Sequence, residues 1–254
     1  MMNATRDTFV MAKRSLRHTV RSMDTIITVA AMPIALMLFF VYVFGNALQT
    51  VSGAVSYIDF ITPGIAIMCV VSGVAYAALR LNNDMTGGII NRFRSMPVAP
   101  SSILGGHAVS SLLSNLFSVL LVMLVAFVAG FRSGAGIEGW LIFAAILFLF
   151  TLAMTWLAIV FGLLAKSAEG AGAFSYALML LIFVSSAFIP ASSMSPALQT
   201  FADNQPMTPI VETMRSLLVE GSAGPKLWEA VAWCIALLIV SYLLALRIYR
   251  NKTA

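Results

Sequence analysis

The chain has 254 residues, of which 60% are hydrophobic and only 10% charged, with a formal net charge of +5 and a mean hydropathy of +0.95. A soluble globular domain is nearer half apolar and a quarter charged, so this composition excludes a soluble enzyme and points to a helical integral membrane protein. About 20 residues cross a hydrocarbon core of about 30 Å, so six spans leave room for connections but for no second folded domain.

Taken in order, residues 1–24 read as no cleavable signal, because the apolar run that follows is too long for one. Arg14, Arg17 and Arg21 recur at helical spacing, with Phe9, Ala12, Leu16 and Val20 on another face. That pattern predicts a basic amphipathic helix lying in the headgroup layer on anionic lipid, or else against a cytosolic partner. Residues 25–45 are the first span, with Pro33 inside it, and Gln49 to Ser56 a short polar turn. Residues 58–80 are the second span, ending at Arg80.

A polar, basic island follows, Leu81-Asn-Asn-Asp84-Met-Thr-Gly87-Gly88-Ile89-Ile90-Asn91-Arg92-Phe93-Arg94-Ser95-Met96-Pro97-Val-Ala-Pro100. Gly87-Gly88 breaks what precedes it. Ile89, Ile90, Phe93 and Met96 then fall on one face of a short helix, Arg92 and Arg94 lie largely on the other, and Pro97 stops it. Such a helix is either a docking knob for a soluble partner or a basic loop that fixes topology.

Ser101 or Ser102 is expected to cap the third span, which runs to about Gly130. Residues 131–136 are a loop, and Trp140 opens the fourth span, which ends near Leu164. Lys166 to Glu169 is a tight turn. Residues 171–189 are the fifth span and residues 228–247 the sixth, with Arg247, Arg250 and Lys252 in or beside a basic tail, residues 248–254.

Between the last two spans, Pro190, Pro196, Pro206 and Pro209 punctuate a segment that runs to Gly224. Ser195-Pro196 and Thr208-Pro209 each read as a cap followed by proline at the first helical position. Ile210, Met214, Leu217 and Leu218 form an apolar stripe, with Glu212, Arg215 and Glu220 elsewhere. Two short helices in the outer leaflet are expected.

With both termini on one side, that side holds twelve of the 15 lysines and arginines; Arg132, Arg215 and Lys226 lie on the other. This bias puts the termini and the island in the cytoplasm and supports an even number of spans. Cys69 and Cys234 sit in apolar runs and read as small buried hydrophobes, with no disulfide or metal spacing. No G-x-x-x-x-G-K-S/T motif occurs, so no ATP site of that type is expected on this chain. His18 and His107 have no ligand spacing, and no catalytic constellation can be assembled at one membrane depth. The span interiors carry no Asp, Glu, Lys or Arg, which argues against a carrier coupled to an ion at depth. An exporter permease, a carrier without an ATPase and a membrane scaffold all stay open on these grounds.

The island from Asp84 to Pro97 resembles the cytoplasmic coupling segment of type-two ABC exporter permeases, closest to the daunorubicin/doxorubicin-resistance group of actinobacteria. That family's pattern is an acidic residue, then glycine, then a short helix ending in Arg-Ser-Leu-Pro; here Met96 replaces the leucine and Asn91 a common acidic residue. The segment from Phe188-Ile-Pro190 through Met214-Arg215 to Gly221 is similar to a second signature of the family. The resemblance covers essentially the whole chain. It implies a permease subunit that exports a drug, lipid or lipid-like molecule. It further implies a second permease chain, identical or related, and two copies of a separate ATPase, which hold the ATP and Mg. It also implies that Ile89, Ile90, Phe93 and Met96 meet the ATPase, with Arg92 and Arg94 facing its acidic groups.

Overall fold

The computed structural model describes residues 23–47, 56–86 and 100–253. All regular structure among these is helical: α1 Met23–Phe39, α2 Tyr57–Thr86, α3 Pro100–Val128, α4 Ile137–Leu164, α5 Ala168–Phe183, α6 Pro196–Asp203, α7 Met207–Arg215 and α8 Leu227–Thr253. A π-turn, Phe40–Phe44, continues α1, and another, Ser216–Glu220, continues α7.

Helix α2 is the axis of the bundle. Apolar residues occupy nearly its whole circumference, so it is stable only if surrounded. It packs against α1, α3, α4, α5 and α7, and Ile61, Ile65, Ile67, Cys69, Val70, Val74, Ala78 and Leu81 are fully buried. By contrast α8 touches the bundle mainly through α4. Its buried stripe, Ala230, Cys234, Ser241, Ala245 and Tyr249, follows helical spacing, while Trp228, Ile239, Val240 and Leu243 stay exposed. An apolar outer face of this kind suits lipid rather than water.

Close helix crossings need residues without side chains. A Cβ on Gly162 of α4 would lie 2.8 Å from the carbonyl oxygen of Ala78 in α2. One on Gly64 would lie 2.8–3.0 Å from Ala187, backbone included. Both contacts place backbone against α2, which is how a central helix fits among so many neighbours.

Among the described residues five stretches are long and apolar enough to cross a membrane: Val29–Ala47, Tyr57–Thr86, Leu104–Val128, Ile137–Leu164 and Leu227–Asn251. These correspond to the expected spans one to four and six. Helix α5, expected over 171–189, covers Ala168–Phe183, 16 residues, or about 24 Å of rise. Its chain leaves the helix at Val184, where the Gln205 amide caps the last turn by donating to Leu181 O at 2.8 Å.

Other boundaries also differ from expectation. Helix α2 does not stop at Arg80 but runs to Thr86, because Leu81 is buried and Asn82 and Asp84 find partners on neighbouring helices. Helix α3 begins at Pro100, so Ser101 and Ser102 lie inside it rather than capping it. Ser167 caps α5 by accepting from Gly170 N at 3.1 Å, which places Glu169 in the helix and not in a turn. Helix α8 continues through Arg247, Arg250 and Lys252, so these are helical and not a tail. Ser195 does stand before Pro196 at the start of α6, but its side chain makes no capping hydrogen bond. Thr208 is no cap, since α7 starts at Met207 with Pro206 before it. The interfacial helix of residues 1–24, bar its last two, lies outside the described residues, as do most of the Gln49–Ser56 turn and residues 87–99 of the island.

Candidate functional site

The expected site residues fall at opposite ends of the bundle. Of the island, residues 81–86 and Pro100, where α3 begins, are described. Gly87, Gly88, Ile89, Ile90, Arg92, Phe93, Arg94, Met96 and Pro97 lie outside the described residues, as do Arg14, Arg17 and Arg21. Pro190, Pro196, Pro206, Pro209 and Arg215 are all placed together at the other end.

At the Asp84 end, α2 is fastened on two sides. Asn82, 2% exposed, donates from Nδ2 to Gly162 O at 3.1 Å and Ala165 O at 2.8 Å. These carbonyls close α4, so a side chain of α2 caps a neighbouring helix. Two residues on, Asp84 Oδ2 lies 3.1 Å from His107 Nε2 in α3. Beneath them Leu81, Leu104, Ala108, Ile159, Leu163 and Tyr249 form a small apolar cluster joining α2, α3, α4 and α8. Thr86 donates back to Asn82 O at 3.0 Å and finishes α2 one residue before Gly87. His107, which has no ligand spacing in the sequence, thus meets the residue that opens the island motif.

At the opposite end the Pro190–Gly224 segment packs onto the bundle instead of looping away. Met207, Ile210, Val211, Met214, Leu217 and Leu218 are buried, so the apolar stripe predicted for this segment is a packing face. Its path is fixed by backbone links: Gly134 N and Ser133 Oγ both donate to Leu218 O, at 2.9 and 2.7 Å. Gly221 then reverses the chain with φ +71°, a conformation that favours glycine.

Arg215 is the centre of this end. It was expected away from the packed face. Instead its Nε donates to Phe60 O at 2.9 Å and its Nη2 to Ser186 O at 2.6 Å and Ala187 O at 3.4 Å. The guanidinium also lies 3.6 Å from the centroid of the Phe60 ring. One side chain therefore joins α7 to the start of α2 and to the turn after α5. Burial pushes its guanidinium down to about 10, against the pull of Glu212, Tyr57 and Glu220; it stays charged at neutral pH. Tyr57 supports the same turn by donating to Phe188 O at 3.1 Å. Phe188 stacks with Phe40 and Phe183 at 5.3 and 4.9 Å, which brings in the end of α1.

Beside Arg215 opens a cleft of about 480 Å³, whose lining includes Pro190, Gln199, Asp203, Glu212, Glu220 and Lys226. Glu212 and Lys226 pair across it at 3.1 Å. The cleft is charged but nearly balanced. Among the described residues no group of three or more His, Cys, Asp or Glu side chains is placed to hold a metal. An arginine in an apolar segment was the signal that pointed here, since a charge in such surroundings needs partners. Its carbonyl partners, being backbone, have no signature in sequence.

Comparison with known proteins agrees with this architecture. Over 233 residues the chain is 28% identical to the daunorubicin resistance ABC transporter permease protein DrrB1 of Streptomyces coeruleorubidus, covering 90% of this chain and 81% of that one. Over 233 residues it is 22% identical to the probable doxorubicin resistance ABC transporter permease protein DrrC of Mycobacterium tuberculosis, with 92% and 84% covered. The ABC-2 type transporter model matches residues 6–219, from the expected interfacial helix through the Asp84 island to the π-turn after Arg215, and this multi-pass membrane chain belongs to that family.

Proposed function

We propose that this chain is the permease subunit of an ATP-driven exporter for a hydrophobic or amphipathic molecule, a drug or a lipid-like compound. A separate ATPase, present in two copies, supplies the power and holds the ATP and Mg. A second permease chain, identical or related, completes the path. The observation that carries this reading is the Asp84 end, where α2 and α3 converge on the two sides of the island. Force delivered to residues 87–97 there enters the central helix of the bundle directly. On this reading Ile89, Ile90, Phe93 and Met96 dock the ATPase, with Arg92 and Arg94 against its acidic groups. Arg14, Arg17 and Arg21 hold the N-terminal helix on the membrane surface nearby.

The charge pattern supports placing the Asp84 end in the cytoplasm. Arg80, Lys166, Arg247, Arg250 and Lys252 belong to that end, against Arg132, Arg215 and Lys226 at the other. Of those three, Arg215 is locked to carbonyls and Lys226 is paired with Glu212. The positive side of a membrane protein faces the cytoplasm. In this reading α5 is the fifth of six spans, short because Pro190 and the packed α6–α7 segment take over in the outer leaflet, and both termini are cytoplasmic. The membrane is the cytoplasmic one.

The direct test is purification of the tagged chain from its native membrane in mild detergent, with mass spectrometry of what accompanies it. Stoichiometric recovery of an ATPase with a phosphate-binding loop is expected. Recovery of the chain alone, from detergents that preserve comparable complexes, would overturn the proposal.

A further inference from the structure

We propose that the Asp84–His107 contact is a positioning tie that makes the ends of α2 and α3 move as one body when the island between them is displaced. This rests on the permease reading above and goes beyond it by assigning a role to His107. The segment that leaves α2 after Thr86 returns as α3 at Pro100. A push on such a connection splays the two helices unless something joins them at its base. Asp84 Oδ2 and His107 Nε2, 3.1 Å apart, make that join, three residues before Gly87 on one side and seven after Pro100 on the other.

The tie is shielded. The His107 and Asp84 side chains are 16% and 32% exposed, so the pair is less screened than one in open water. It is also backed by a rigid neighbour. Asn82 holds the same turn of α2 to the carbonyls of Gly162 and Ala165, and Gly162 brings α4 into backbone contact with Ala78. With α2 fixed to α4 in this way, a carboxylate two residues beyond is a firm anchor for α3. Asn82 couples α2 to α4, and Asp84 extends that coupling to α3. The polar residues past Arg80 therefore form a joint among three helices, and nucleotide-driven motion passes through it.

The test uses the permease–ATPase complex in liposomes, with amide exchange at residues 82–86 and 104–108 measured with and without ATP. The variants are Asp84→Ala, His107→Ala and the exchanged pair Asp84→His with His107→Asp. All are expected to retain the ATPase on purification. In the native complex ATP changes exchange at both helix ends. In each single variant the response of α3 falls about tenfold, the size of a typical coupling between sites, and in the exchanged pair it recovers to within about threefold. A purely structural role predicts no recovery by exchange. Full response in the single variants, an exchanged pair no better than they are, or a native α3 that ignores ATP would each overturn the tie. Single variants that lose the ATPase while the native chain keeps it would also overturn it, yet spare the permease reading. Absence of ATPase from the native preparation would overturn that reading and the tie with it.

Discussion

Replacing Arg215 with alanine removes a guanidinium tied to two helices and a turn, and the loss can be worked out contact by contact. The bonds from Nε to Phe60 O at 2.9 Å and from Nη2 to Ser186 O at 2.6 Å are short and charge-assisted. Each contributes about 1.5–3 kcal/mol. The contact to Ala187 O at 3.4 Å is long and adds little. The Phe60 ring, 3.6 Å from the guanidinium, adds about 1 kcal/mol. Against these stands desolvation. The burial that lowers this group to about 10 disfavours its charged form by about 3 kcal/mol. The balance is a net loss of about 1–4 kcal/mol, or a fall in melting temperature of about 2–16 °C for a chain of this size. Cys69 and Cys234 are both fully buried, so a thiol-reactive fluorogenic dye reports unfolding of the purified protein without any added label. Arg215→Lys should fall between the two, because an ammonium keeps the charge but not the planar fork that reaches two carbonyls at once. A shift below about 2 °C for Arg215→Ala would refute the reasoning and reduce Arg215 to a surface charge.

Four further outcomes are expected. Gly162→Val should destabilise by about 1–3 kcal/mol in the same assay, since its side chain meets the backbone of Ala78. Gly73→Ala should cost less despite its close approach to Asn115, because a side-chain amide can turn aside and a backbone carbonyl cannot; equal costs would contradict this. If Phe93 docks the ATPase as proposed, Phe93→Ala should reduce recovery of the ATPase on purification while leaving membrane insertion intact, because the sequence puts it outside every apolar run; unchanged recovery would sink that assignment. The gap in melting temperature between native protein and Arg215→Ala should stay constant from about pH 6 to about pH 8. The folded-state value of Arg215 is lowered toward about 10. The cost of burying its charge is therefore fully present below that value and is relieved only as pH rises through it, while the unfolded arginine still holds its proton.

Composition and periodicity by themselves determined that this is an all-helical membrane chain, because about 20 apolar residues in succession have few other places to go. They also located the four long early spans and α8, and put two short helices of the proline-rich segment in the outer leaflet, since Ile210, Met214, Leu217 and Leu218 cannot rest in water; that this stripe packs on the bundle was decided by the fold. Tertiary structure decided the ends. Helix α2 outlasts Arg80 because Asn82 and Asp84 are satisfied by α4 and α3, partners 80 and 23 residues away in sequence. Local reading takes such polar residues for loop. Arg215 was visible as an oddity, but its carbonyl partners at residues 60, 186 and 187 carry no sequence signal. Apolar burial is written locally, residue by residue. A polar group buried at a helix end is defined by what it faces, and that is settled only when distant segments meet.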